Sequence, residues 1–302
     1  MIHLLRGRLS ALVALALMVA PALGARYGAG IENSQWYLSE SVFDCTLTHD
    51  VPSYGKAVFR HQAGKELSFY LESGNRLMRP GRGQLIVEAP AWRPGSNPRS
   101  IGHIDVDESH RPVTLDARQS MLIIGGLLEG MAPTLSRQAW YSDESIRISL
   151  SNINFARSFE SYRSCVASLL PVNYDQIKRS RIPFTSGSTR LSNADYELLD
   201  SIVLYVQADS TVERVFVDGH SDSIGSRINN RALSEQRANI VAEYLKEQGI
   251  PEDRLTVRAH GDQFPASQRA ADNRRTTIRL QRQGGRPALQ RANSTYIDDA
   301  NG

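Results

Sequence analysis

Two oppositely charged side chains, Asp222 and Arg237, stand fifteen residues apart in the segment "VDGHSDSIGSRINNRALSEQRANIVAEYL" at residues 217–245. Arg237 falls on an apolar stripe of Leu233, Ile240, Val241, Tyr244 and Leu245, which recur at helical spacing. A guanidinium there is either buried or lines a pocket, and burying it without a partner is costly. Ser234 is suited to cap the helix, which would put Arg237 in the first turn beside free backbone N–H groups. Such a helix start suits an anion, above all a carboxylate gripped bidentately. Asp222, in the loop after the preceding strand, offers the opposite charge. A ligand carrying both an ammonium and a carboxylate would satisfy the two together; the alternative is that Asp222 and Arg237 pair with each other to fix the loop.

Other chemistries fit the residues less well. His220 and Asp222 form a His-x-Asp pair, yet no further His or Cys falls nearby to complete a metal set. Ser221 and Ser223 flank the same loop without a Gly-x-Ser-x-Gly elbow or a third group to orient a base. The expectation is therefore a binding site, with no catalytic residue, no metal and no cofactor.

The elements that must position this loop follow from periodicity. After Pro171 the chain alternates helix and strand: a short strand at 181–184, a helix from Ser192 to Asp209, a strand at 212–218, a helix from Ser234 to Gln248, and strands at 255–259 and 275–281. Before it, from Ser34 to Asn154, short alternating runs such as "KAVFRHQ", "KELSFYLES", "QLIVEAP" and "IRISLSNI" predict strands, separated by turn sequences such as "DVPSYG" and "RPGRG". A helix over 156–170 closes this half, with Phe159, Tyr162, Val166 and Leu169 on its buried face. The fold class is α+β: a mainly antiparallel β domain at 25–172, then an α/β sandwich at 173–283. Residues 284–302 read as a disordered tail.

Residues 1–24 have a basic start, Arg6 and Arg8, an uncharged apolar run and small residues spaced for cleavage, the pattern of a signal peptide. Cleavage is expected after Gly24, with Ala22 as the competing position. Removing Arg6 and Arg8 leaves 33 basic against 32 acidic residues, a balance that does not suggest nucleic acid. The chain has two cysteines, Cys45 and Cys165; in an exported protein a disulfide is the default reading and two buried thiols the alternative.

The stretch "GHSDSIGSRINNRALSEQRA" resembles the OmpA-like peptidoglycan-binding signature, with Gly219, Asp222, Gly225, Asn230, Leu233, Ser234, Arg237 and Ala238 at its spacing. The later "GDQFPASQRAADNRRTTIRL" is similar to its second signature through Gly261, Pro265 and the run Asn273-Arg274-Arg275. The resemblance implies that Asp222 takes the ammonium and Arg237 the carboxylate of the diaminopimelate in the peptidoglycan stem peptide, with Asn230, Ser221 and Leu233 around the ligand. Arg274 or Arg275 is expected in the same pocket, the other reading for each being a sheet-edge charge. Ser221 replaces the usual threonine and keeps its hydroxyl; His260 replaces the usual aromatic residue. On this reading, substituting Asp222 or Arg237 should abolish wall binding and leave the fold largely intact.

The first half resembles the MotY family of exported flagellar-motor proteins, through "SQWYLSESVFDCTLTHDVPSYGKAVF", "APAWRPG" at 89–95 and the context of Cys165. That resemblance implies a non-enzymatic periplasmic protein of the T ring. Its N-terminal domain would associate with the flagellar basal body and a MotX-like protein, while its C-terminal domain holds peptidoglycan; together they would position and stabilise the stator units by contact with the periplasmic region of the stator B subunit. A generic envelope tether and a wall-modifying enzyme are the alternatives.

Overall fold

The computed structural model describes residues 24–284 apart from 91, 92, 94 and 96. The expected signal peptide up to residue 23, the tail from residue 285 and most of the "AWRPG" stretch lie outside the described residues. In chain order the first half comprises β1 (Arg26–Gly28), β2 (Trp36–Glu40), β3 (Asp44–Val51), β4 (Gly55–Gln62), β5 (Ser68–Ser73), β6 (Gly81–Glu88), β7 (Arg99–Val106), β8 (Val113–Leu115), α1 (Ala117–Leu128), β9 (Ala132–Gln138), β10 (Ser145–Ser149) and α2 (Phe155–Ala167). The strands form two five-stranded sheets, β2-β3-β4-β5-β8 and β1-β10-β9-β6-β7. All pairings are antiparallel except β1 with β10. Alternation along β3 sends Cys45, Leu47 and Val51 inward, and these meet Phe59, Leu85, Leu135 and Ile146 in one core.

The helix α1 is absent from the periodicity-based expectation because Gly125 and Gly126 interrupt its pattern and weaken its intrinsic helicity. Packing explains the second of them: a Cβ on Gly126 would lie 3.0 Å from both methyls of Val87. Asp116 caps this helix, accepting from the Gln119 N–H at 2.7 Å. On α2 the buried face is Phe155, Phe159, Tyr162 and Cys165; Val166 and Leu169 are only partly covered. Cys165 is bonded to Cys45, with 6.1 Å between their Cα atoms, so the end of this half is tied to its beginning. Trp36 is a core anchor whose indole donates to the Ser151 carbonyl at 3.0 Å, whereas Trp140 is 58% exposed.

The second half comprises α3 (Tyr174–Ile177), β11 (Arg179–Pro183), α4 (Asn193–Ala208), β12 (Val212–His220), α5 (Arg227–Glu247), a 3-10 turn (Glu252–Arg254), β13 (Leu255–Ala259), α6 (Ala270–Asn273) and β14 (Arg275–Arg282). Its sheet runs β11-β14-β12-β13, with β12 and β13 parallel across the α5 crossover. Val215, Val217, Ile278 and Leu280 point to one face, where Leu199, Ile202, Val206, Val241 and Leu245 of the two long helices complete a second core. Alternate residues occupy the other face, which no helix among the described residues covers. Where the halves meet, Phe43 packs edge-on against Tyr205 at 5.5 Å, and Asn173 donates to the Ala63 carbonyl at 3.1 Å.

Candidate functional site

Helix α5 begins seven residues before the expected start. Ser226 is its N-cap, accepting from the Asn229 N–H at 3.2 Å, and Ser234 is interior. The first two turns carry no apolar stripe, and Ile228 is 82% exposed, so nothing in their periodicity marks them as helix. Ser234 instead joins the helix to the loop after β13, its hydroxyl donating to the Arg231 carbonyl and accepting from the Gly261 N–H at 2.9 Å. Arg237 therefore lies in the third turn, away from the free N–H groups of the helix start.

The close approach of α5 to β12 sets the level of the loop. A Cβ on Gly219 would stand 1.9 Å from the Ser234 carbonyl oxygen, so only glycine fits there. The loop at 221–226 leaves the strand end with the Ser221 N–H bonded to the Gly261 carbonyl at 2.8 Å, and turns at Gly225, whose φ is +100°.

Arg237 is fully buried. Its Nε donates to the Ser188 carbonyl at 3.0 Å, Nη1 to the His220 carbonyl at 3.1 Å and Nη2 to the Thr185 carbonyl at 3.1 Å. Its guanidinium also sits 5.1 Å from the centre of the Phe184 ring. Burial pushes the Arg237 pKa down; the Asp222 charge works against that shift and Arg274 adds to it. The guanidinium thus fastens the β11–α4 loop to the end of β12 through three backbone carbonyls. Phe184, Thr185 and Ser188 carry no motif signal, because they act mainly through backbone groups about fifty residues from Arg237 in sequence.

Asp222 does not form an ion pair with Arg237. Its Oδ2 accepts from Arg274 Nη1 at 3.0 Å and its Oδ1 from the Ile224 N–H at 3.3 Å. Arg274 is held in turn by Nε donation to the Phe184 carbonyl at 3.2 Å. Of the two adjacent arginines, Arg274 reaches the Asp222 loop, whereas Arg275 begins β14 on the opposite, open face and donates to the Phe264 carbonyl at 3.1 Å. The expected residues are therefore divided: Asp222, Arg237 and Arg274 converge, and Arg275 does not.

Asn230 and Ser221 are buried beside this loop, and the Asn230 Nδ2 and Ser221 Oγ have no hydrogen-bond partner among the described residues. Buried polar atoms are normally paired, so two unpartnered ones mark this loop as unusual. Leu233 is half-buried on the same helix. His260 stacks on His220 with ring centres 5.0 Å apart and shares a hydrogen bond with Asp218, on the face that Arg275 also occupies. A cluster of three or more His, Cys, Asp or Glu side chains able to hold a metal is absent among the described residues.

Residues 27–171 match the family model described as the MotY N-terminal domain, and residues 183–279 match that of the OmpA family. The "Sodium-type flagellar protein MotY" of Vibrio parahaemolyticus is 29% identical over 269 residues, covering 86% of this chain and 92% of that protein. Outer membrane protein A of Salmonella typhi is 34% identical over 98 residues, 32% of this chain but only 27% of that protein. Among solved structures, the peptidoglycan-associated lipoprotein from Burkholderia pseudomallei is similar with 22% identity and a TM-score of 0.32, over 33% of this chain and 89% of that one.

Proposed function

From a chain that joins a MotY N-terminal domain to an OmpA-family domain, we propose a flagellar-motor protein of the bacterial envelope that grips peptidoglycan through the loop and helix around Asp222. The observation that carries the wall-binding reading is the convergence of Asp222, Arg237 and Arg274 beside the two orphaned polar atoms of Asn230 and Ser221. One carboxylate facing a ligand ammonium, and a guanidinium with donors to spare facing its carboxylate, match the free end of a diaminopimelate residue. Arg237 uses three of its five N–H groups on backbone carbonyls. Arg274 is partly exposed whereas Arg237 is fully buried, so we assign Arg274 the contact with the ligand carboxylate and Arg237 the task of holding the surrounding loops in place.

The N-terminal β domain would make the motor contact, with the basal body, a MotX-like protein and the periplasmic part of the stator B subunit as its partners. One chain holding the wall and the motor together is bivalent anchoring: two modest sites retain a protein far better than either alone. No bond need be made or broken at the site.

The test is a pull-down on isolated sacculi with the wild-type protein and Asp222→Asn, with free diaminopimelate as competitor. The reading expects binding that diaminopimelate displaces and that the variant loses while keeping its circular dichroism. Equal binding by the two proteins would overturn the site. Loss of swimming in cells carrying the variant, with an intact envelope, supports the motor role. Envelope leakage with normal swimming would instead identify a general wall tether.

A further inference from the structure

The open face of the C-terminal sheet carries an unusual charge pattern. The registers of β11, β14, β12 and β13 bring Arg179, Arg181, Arg275, Arg279 and Arg258 onto it, with His220 beside Arg275 and His260 at the end of β13. One carboxylate, Asp218, faces them from the sheet, and it is already shared between Arg258, Arg279 and His260 at 2.6, 3.1 and 3.1 Å. Arg181 leans on Asp272 at 3.5 Å. Arg179 and Arg275 have no carboxylate ion-pair partner among the described residues.

The arginines of this face other than Arg258, with Asp218 and the two histidines, line a cleft of about 750 Å³, to which Phe264 and Pro265 contribute a further wall. Arg275 is only 8% exposed, and its Nη1 has no hydrogen-bond partner among the described residues; the Nδ1 of His220, 3% exposed, has none either. A buried cation with an idle donor is costly to leave unmatched. Burial first, and then the charges of Arg181 and Arg179, press its pKa down, which reflects crowding of like charge. His220 is kept neutral by burial and by the neighbouring Arg275 charge, so it enters the cleft as a hydrogen-bonding group and not as a further cation.

We propose that this cleft is a second binding site, separate from the Asp222 loop, and that its ligand is a phosphoryl group. Two arginines without counter-charge converge on one pocket and call for about two negative charges in one compact group, which a phosphate monoester or diphosphate carries near neutral pH. Its several oxygens can take paired N–H donors from more than one arginine at once. A single carboxylate brings half the charge and would leave one guanidinium unmatched. Phe264 and the stacked imidazoles of His220 and His260 add a ring-lined wall beside Arg275, so a phosphoryl group on a small organic body fits as well as a free ion.

The experiment titrates the full-length protein with inorganic pyrophosphate, and separately with phosphatidic acid vesicles, whose head group is a phosphate monoester, against phosphatidylcholine vesicles, by calorimetry and co-sedimentation. Arg179→Glu is the main variant, because Arg179 is exposed and its loss leaves the core intact. The expected result is saturable pyrophosphate binding that Arg179→Glu weakens about tenfold or more, while Asp222→Asn leaves it unchanged. Capture by phosphatidic acid but not phosphatidylcholine vesicles, lost in the same variant, supports the site with a lipid head group as source; pyrophosphate binding without vesicle capture supports it with a soluble phosphate. Failure of both probes, or equal binding by wild type and Arg179→Glu, overturns the proposal. So does acetate competing as well as pyrophosphate at equal concentration. Because Arg179→Glu should retain sacculus binding, failure here is distinguishable from failure of the wall site.

Discussion

Arg274 Nη1 donates to Asp222 Oδ2 at 3.0 Å, while Arg237, on the matching side of the same loop, spends its hydrogen bonds on carbonyls and leaves Asp222 alone. The two arginines therefore have different roles. Arg274 holds a carboxylate that a ligand ammonium could share, and Arg237 ties together the loops that shape the pocket.

For this reason Arg237→Ala is expected to destabilise the C-terminal domain, by about 3 to 5 kcal/mol, since it leaves three carbonyls without donors and a cavity in a closed site. This revises the expectation that both charged residues can be replaced without harm to the fold. Denaturant unfolding of the variant checks it; an unchanged midpoint would show that the three carbonyl bonds contribute nothing.

Arg274→Gln keeps a donor but removes the charge. It should lower affinity for sacculi about tenfold, the size of one charge-assisted hydrogen bond. Its thermal midpoint should also fall, because the Asp222–Arg274 pair is largely buried, with 19% and 10% of the arginine and aspartate side chains exposed, and the variant leaves Asp222 without its counter-charge. A co-sedimentation isotherm on sacculi reads the affinity directly, and wild-type binding by this variant would remove Arg274 from the site.

His220 gives the C-terminal domain an acid sensitivity. In an unfolded chain its imidazole titrates near pH 6.5; in the fold, burial and the charges of Arg275 and His260 push it down to about 3. Between those values the unfolded chain binds the extra proton. The stabilising contribution is thus complete above about pH 6.5 and is lost progressively as pH falls toward 3. Asp218, also held low, acts in the same direction only below the ordinary carboxylate range. His49, lowered by burial in the N-terminal core, titrates with the same sign. A His220→Gln variant separates them: its midpoint should vary less with pH between about 4 and 6.5 than that of wild type, and parallel curves would show that His220 is not responsible.

The Cys45–Cys165 bond closes a loop of 120 residues and both cysteines are buried. In the chain-entropy description a loop of that length stabilises by about 5 kcal/mol. Cys45→Ser with Cys165→Ser should therefore lower the first unfolding transition steeply, and reductant should do the same to wild type. Coincident melting curves with and without reductant would contradict this.

Contact between the two halves rests in part on Phe43, packed against Tyr205. Phe43→Ala should cost roughly 1 to 2 kcal/mol, as expected for a partly exposed aromatic contact. It should also separate the calorimetric unfolding of the two halves into resolved steps. A single unchanged transition would place the coupling elsewhere, on the Asn173 and Gln176 bonds to Ala63 and Gly64.

Local pattern was enough for what is local. Alternation in "KAVFRHQ" and "LTVRA" marks β4 and β13, Ser192 marks the start of α4 through a capping box with Asp195, and the spacing of Asp222, Asn230 and Arg237 identifies the candidate binding loop. The start of α5 was not legible, because its first turns face solvent and have no apolar period to show. Neither was α1, whose paired glycines oppose helix locally, the second of them required by Val87 across the core. Tertiary structure alone decided which charge meets which. On sequence grounds Asp222 could pair with Arg237 or face a ligand beside it; in the fold it pairs with Arg274 instead, because Arg237 is enclosed by the carbonyls of Thr185, Ser188 and His220. Arg274 is the C-cap of α6 and Arg275 begins β14, so the two, neighbours in the chain, diverge where the helix passes into the strand: the first reaches the Asp222 loop, the second a cleft on the other face of the sheet.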